Sequence, residues 1–165
     1  MAAEYALLVS GGSGALLAAR FAAAALASGR VEVLHLVVTG PAAKVLGHEL
    51  GPEWAGARGF RDQLPVGDEL RARIHPHADS EIEASIASGS HRLGGVVVLP
   101  CSAGMAGALA HGISRGLAQR VADLNRFIEK LDLHQITLVA HDWGGGIGMG
   151  AAVAAPERIV RCVLM

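Results

Sequence analysis

The sequence predicts an α/β protein: one domain over residues 1–165 with a three-layer α/β/α, Rossmann-like parallel sheet of about six strands. Three observations predict it. Strand-length apolar runs alternate with helical patterns along the whole chain, which calls for parallel strands joined by helices on both faces. The 30 alanines and 22 glycines make up nearly a third of 165 residues, while aromatics are 4 %. That balance favours helices packed closely on a sheet over a bulky aromatic core. Finally, a glycine-rich turn stands between the first strand and the first helix, where sheets of this kind bind ligands.

The elements follow in order. A strand is predicted over 5–9, then a helix over 14–28 capped by Ser13 and ended by Gly29. A second strand covers 31–39, rich in Val and Leu, and Pro41 starts a helix that reaches about Leu50. Residues 51–67 mix Gly, Pro, Trp54, Phe60 and scattered charge, and read as a surface loop or lid. A weak strand is predicted over 71–75. The Ser80-x-x-Glu83 pattern opens a helix to about Ser88. The run 95–100 is the clearest buried strand, and Ser102 caps the helix that follows, to about His111. Leu117, Val121, Leu124, Ile128 and Leu131 mark one face of a longer helix over 117–131. A strand over 136–140, a helix over 145–155 and a strand over 159–165 complete the pattern.

Composition limits the function. Hydrophobic residues are 52 % and charged residues 18 %, which excludes a disordered chain. A net charge of −1 and a pI near 6.7 give no sign of a nucleic-acid partner. No run reads as a membrane span, and the first residues carry Glu4 without a basic segment, so a cytoplasmic protein is expected. Cys101 and Cys162 belong to no CxxC and read as two buried thiols. No metal site is expected. A mean hydropathy of +0.40 without a span implies apolar surface covered by other subunits, hence a homo-oligomer.

The turn Ser10-Gly11-Gly12-Ser13-Gly14-Ala15 is the first site candidate. Its glycines allow a sharp turn, and the helix start offers N–H groups and a positive dipole end to a phosphate. It is not a full dinucleotide fingerprint, because Leu17 stands where a third small residue is needed and no acid closes the second strand. A monophosphate ligand is therefore favoured over NAD. The others are Leu99-Pro100-Cys101-Ser102 at the end of strand four, the hydroxyl-rich turn Ser88-Gly89-Ser90, and Arg120 near the start of the long helix.

Taken together, these pieces give residues 5–123 a resemblance to the UbiX-type flavin prenyltransferases of the FMN-binding flavoprotein superfamily. The matching residues are SGGSGA at 10–15, Thr39 closing strand two, Ile86-Ala87-Ser88-Gly89-Ser90 and Val98-Leu99-Pro100-Cys101-Ser102. Ala110-His111-Gly112, Gly116-Leu117 and Arg120-Val121-Ala122-Asp123 continue the series. The resemblance implies FMN contacts from Gly11, Gly12, Ser13, Thr39, Ser102, Ala103, Gly104, Met105 and Arg120. It implies a prenyl-donor phosphate near Ser90 and Arg120. It also implies a metal-free reaction at the subunit interfaces of a homo-oligomer, in which flavin N5 displaces phosphate from dimethylallyl monophosphate.

Residues 123–165 resemble a different family, the α/β-hydrolases of the haloalkane dehalogenase and epoxide hydrolase type. Ala140-His141-Asp142-Trp143-Gly144 has the form of a nucleophile elbow, in which small residues permit a tight strand-to-helix turn. That resemblance makes Asp142 the carboxylate nucleophile and Trp143 a halide-holding residue. The acid and histidine that complete such a site are not found after Asp142, so Asp142 is expected to be vestigial.

The prenyltransferase pattern also departs from its family. Phe127 stands at a Lys position, His141-Asp142 at an Arg-Glu pair, His91 at a Phe and Met105 at a Thr. The expected function is therefore an FMN-binding, flavin-prenyltransferase-like protein with impaired transfer. Two alternatives are a folded chimera without turnover and a hydrolase that uses Asp142.

Overall fold

The computed structural model describes residues 3–88, 91, 93–111, 113 and 115–121, together with the backbone of 136–140 and 159–164. Four parallel strands form one sheet in the order β3-β2-β1-β4: β1 (Ala3–Val9), β2 (Val31–Val38), β3 (Ile74–Ala78) and β4 (Gly95–Val98). Two more strands, β5 (Ile136–Ala140) and β6 (Ile159–Leu164), pair in parallel as a separate two-stranded sheet. The α/β class therefore holds, but the expected six-stranded sheet is divided four and two. β5 lies beside β4 without sharing its hydrogen-bonded ladder.

β1 occupies an inner position, paired on both sides, so both of its faces must be apolar. Leu7 and Val9, with Leu34, Leu36 and Val38 of β2, face α1 (Ala15–Ala27), α2 (Gly40–Glu49) and α3 (Gly56–Gln63). Ala6, Leu8 and Val37 face the other way, toward Met105 of α5 (Ala103–Ala110) and Leu117, Ala118 and Val121 of α6 (Leu117–Val121). This is the three-layer arrangement. The buried stripe of α1 is Ala15, Ala18, Ala19, Ala22 and Leu26, and its small side chains bring the helix close to the strands.

Four expectations need correction. Residues 51–67 are not a loose surface loop: a 3₁₀ turn (Pro52–Trp54) and α3 form there, and a single helical turn α4 (Asp68–Arg71) follows. Phe60 and Leu64 are 0 % exposed, and Trp54 meets Phe60 edge-on at 5.7 Å, so this segment covers the core. The third strand runs over Ile74–Ala78, shifted along the chain from 71–75. No helix grows from Ser80; a 3₁₀ turn forms at Ser85–Ala87 instead. Glu81 there accepts from the Ala78 N–H and approaches His77, and Ile86 is drawn into the core. β4 is half-buried, because it is the end strand of the four-stranded sheet.

The helix expected over 117–131 is described only as far as Val121, and the one over 145–155 lies outside the described residues. No helix among the described residues is long and apolar enough to cross a membrane.

Candidate functional site

β2 and β4 flank β1 on opposite sides, so the connections after β1 and β4 diverge and leave a crevice beyond the strand ends. A cleft of about 780 Å³ opens there. Ser10, Thr39, Asp79 and Ser102 reach it from just past the ends of β1, β2, β3 and β4, and Arg115 and Gln119 close it from the α6 side.

Ser10 fixes the geometry at the centre. It is buried, its hydroxyl donates to the Pro100 carbonyl at 2.8 Å, and its oxygen accepts from the Ser102 N–H at 2.7 Å. The end of β1 is thereby tied to the end of β4. Gly11 allows the turn to pass against α2: a Cβ on it would come within 2.7 Å of the Pro41 Cβ.

Two helices start at the cleft with hydroxyl caps. Thr39 is the N-cap of α2, with its Oγ1 accepting from the Ala42 N–H at 3.3 Å. Ser102 is the N-cap of α5, with its Oγ accepting from the Met105 N–H at 3.2 Å. Gly40 and Gly104, the residues just inside these starts, line the cleft, and a Cβ on either would meet nothing within 4 Å. The start of α1 differs. Its N-cap is Gly14 at φ 104°, and no side chain caps it in the usual way. The carboxylate of Glu49, at the end of α2, accepts from the Ala15 N–H at 2.8 Å and from the Gly14 N–H. Ser13 is therefore not the cap of α1. It is exposed, and the N–H groups expected to hold a phosphate already bind a side chain of the protein.

The predicted site residues divide accordingly. Gly11, Thr39, Ser102, Gly104 and Met105 come together along the cleft; Gly12, Ser13, Ala103 and Arg120 are not part of its lining. Gly12 packs against the 100–102 turn. Arg120 is exposed because Leu117, Ala118 and Val121 form the buried face of α6 and Arg120 lies off it. Ser90, Phe127, His141, Asp142 and Trp143 lie outside the described residues.

Sequence reasoning missed Asp79, Arg115 and Glu49. Asp79 accepts from the Leu117 N–H through its carbonyl at 2.8 Å and from the Ala118 N–H through its carboxylate at 2.9 Å, anchoring α6 to the end of β3. The only sequence signal was a short polar residue ending a strand. Arg115 is the only cation among the described lining residues. Cys101, beside Ser102, is a free thiol whose pKa burial pushes up to about 11, which leaves it a poor nucleophile.

A second polar cluster sits at the other end of the sheet. Glu4, His35 and His91 share short contacts, and His77 adjoins His35. Hydrogen bonds from His35 and then His91 hold the Glu4 carboxyl below its usual pKa. Burial pushes the His35 and His77 imidazoles below theirs, against the pull of Glu4 and Glu81 respectively.

The fold is a parallel α/β sheet that matches the folds of solved UbiX-like flavoproteins. AnUbiX, solved in complex with FMN and dimethylallyl pyrophosphate, superposes with a TM-score of 0.66 at 22 % identity, over 99 % of this chain and 77 % of its own. A dodecameric FMN-dependent UbiX-like decarboxylase from Escherichia coli O157:H7 gives 0.68 at 23 % identity, over 98 % and 79 %. The flavin prenyltransferase UbiX of Deinococcus radiodurans is 37 % identical over 88 residues, which is 53 % of this chain and 39 % of that protein. The chain spans less than two thirds of the length of such curated relatives. The family described as alpha/beta hydrolase fold matches residues 111–165. The two parts of the chain thus resemble two families.

Proposed function

We propose that this chain is an FMN-binding, flavin-prenyltransferase-like transferase that takes its prenyl group from dimethylallyl monophosphate. The observation that carries this reading is the convergence of two hydroxyl-capped helix starts, at Thr39 and Ser102, on one cleft. The cleft of about 780 Å³ falls in the usual range for ligand pockets, roughly 300–1,000 Å³. The open space at Gly40 and Gly104 is room that side chains would otherwise fill.

The phosphate of FMN belongs at the starts of α2 and α5, where hydroxyls and backbone N–H groups meet the positive ends of the helix dipoles. This departs from the expected position at Gly12 and Ser13, whose helix start is taken by Glu49. Met105, buried at the start of α5, offers apolar surface, and Gly11 lets the chain approach. Bound reduced flavin would supply the nucleophile for prenyl transfer. Arg115 would stabilise the charge that develops on the departing phosphate.

Transfer should be slow, because Phe127 and His141-Asp142 stand where cationic residues would assist the leaving group. Arg120 and Ser90 remain candidates for the donor phosphate, with Arg120 exposed and able to serve a neighbouring subunit of a homo-oligomer. Exposed Leu16, Ile82 and Ile113 are consistent with such an assembly. The reading takes residues 1–165 as one domain extended by β5 and β6, working in the cytoplasm.

FMN titration followed by fluorescence quenching tests the site. Thr39→Asp keeps a competent helix cap but adds charge beside the phosphate, so binding should weaken roughly ten-fold or more. Ser13→Asp should leave it unchanged within about two-fold, given the exposure of Ser13. Equal binding by the wild type and Thr39→Asp would overturn the site. Anaerobic incubation of reduced FMN with dimethylallyl monophosphate, read as a flavin mass increase, tests the transfer itself.

A further inference from the structure

Strand alternation gathers a polar cluster on the α5–α6 face of the sheet, toward its amino-terminal end. Glu4 lies two residues before Ala6 on β1, and His35 lies opposite Ala6 on β2. His75 pairs with His35, and His77 follows it on β3. His91 arrives from the segment before β4. The cleft begins at Ser10, six residues beyond Glu4, which is about 20 Å along an extended strand.

One carboxylate oxygen of Glu4 lies 2.9 Å from the Nε2 of His35 and 2.9 Å from the Nε2 of His91. A carboxylate only accepts, so both Nε2 atoms carry their hydrogens in this arrangement. The Nδ1 of His35 is then an acceptor and lies 3.1 Å from the Nε2 of His77, which donates to it. The Nδ1 of His77 lies 3.5 Å from the carboxylate of Glu81. In this tautomer the Nδ1 of a neutral His77 carries no hydrogen, so it and the Glu81 carboxylate face each other as two acceptors without a hydrogen bond.

We propose that Glu4, His35 and His91 form a binding site for a divalent transition metal, with Zn²⁺ as the ion that fits best. Their ligand atoms all lie within 4.8 Å of one another. Two imidazoles and one carboxylate are a recurrent donor set for Zn²⁺, Co²⁺ and Ni²⁺, and leave a further position for water. The 2.9 Å contacts are a few tenths of an ångström short of the about 3.3 Å edge of a tetrahedron with zinc bonds near 2.0–2.1 Å.

Binding needs no proton to leave the protein. Each neutral imidazole moves its hydrogen from Nε2 to Nδ1, and Nε2 becomes the ligand. His35 then donates from Nδ1 to the Nε2 of His77, and His77 donates from its own Nδ1 to Glu81. This reverses the hydrogen-bond line and supplies the outer support that metal-bound histidines use. His77 is thus a positioning residue.

The side chain of His35 is 6 % exposed, whereas those of Glu4 and His91 are 41 % and 24 % exposed. One ligand is anchored and the other two are open to an ion arriving from solvent. The ion would tie together β1, β2 and the approach to β4. The sequence reading expects no metal, and nothing in the spacing of Glu4, His35 and His91 suggests one.

The full chain, stripped with EDTA, is titrated with ZnCl₂ by calorimetry and with Co²⁺ by visible absorption. One ion per chain should bind, with Co²⁺ giving the absorption of a four-coordinate site. His91→Ala and Glu4→Gln should each weaken binding more than roughly 100-fold, and His77→Phe roughly 10–100-fold. His48→Ala and His111→Ala, exposed histidines outside the cluster, should change nothing. Zn²⁺ should raise the melting temperature of the wild type but not of His91→Ala. If Glu4→Gln does not fold, as judged by circular dichroism, His91→Ala decides. Absence of one-to-one binding by the wild type would overturn the site, leaving only a hydrogen-bonded cluster. Undiminished binding by His91→Ala would do the same.

Discussion

The starts of α1 and α2 look alike in sequence, yet the fold uses them differently. Both combine glycine with a hydroxyl residue, Gly12-Ser13-Gly14 in one and Thr39-Gly40 in the other. At α2 the hydroxyl caps the helix from within, and the start faces the cleft. At α1 the glycine takes a left-handed conformation, Ser13 is exposed, and Glu49 from the far end of α2 supplies the negative charge. A glycine-rich helix start advertises N–H groups; what occupies them depends on which side chains tertiary packing brings within reach.

The largest expected effect concerns the segment that holds α2 and its partners in place. Phe60→Ala should destabilise the protein by about 3–5 kcal/mol in urea unfolding, because Phe60, on α3, is wholly buried. A change of under about 1 kcal/mol would restore the view of residues 51–67 as a dispensable lid. Next is Gly11→Ala, whose Cβ would press on Pro41 at the start of α2. A cost of about 1–3 kcal/mol is expected from such overpacking, together with weaker FMN binding as the two helix starts are pushed apart. Unchanged stability would mean that the α1 turn and α2 are not in close contact.

Two smaller effects sharpen the comparison directly. Thr39→Ala removes an internal cap and should cost about 1 kcal/mol. Glu49→Ala removes the external one and should cost about 0.5–1 kcal/mol, toward the low end because the carboxylate is exposed. Adding Ser13→Asp to Glu49→Ala should not recover the loss, since Ser13 is exposed and caps no N–H of the helix start; recovery would show that Ser13 can cap α1 after all. The smallest effect is chemical. With its pKa raised to about 11, Cys101 is neutral at pH 8, and only about a thousandth of it is thiolate. Iodoacetamide should leave the Cys101 peptide largely unmodified at pH 8 and label it faster as pH rises toward 10, read by peptide mass spectrometry.

The cleft was partly legible in the sequence. Thr39 follows the end of β2, Ser102 lies just beyond β4, and Gly104 and Met105 open the helix after it; parallel sheets gather such residues at one edge whatever their distance along the chain. Arg120 lies off the cleft lining for a related reason. Helical periodicity indicates which residues share a face, but it does not say which face meets the cleft. Burial of Leu117, Ala118 and Val121 decides that, and Arg115 in the preceding turn takes the lining position.

The sequence by itself determined the alternation of strand and helix, the parallel pairing, the cap at Ser102, and the edge of the sheet where a ligand would lie. These follow from local apolar periodicity and short-range hydrogen bonding, both of which are written in neighbouring residues. Tertiary structure alone decided that Phe60 is core, that Glu49 closes α1, and that Glu4, His35 and His91 meet. Each of these is a contact between segments whose separation along the chain carries no signal. Sheet register and the packing of one helix against another bring them together, and neither is encoded in a local pattern.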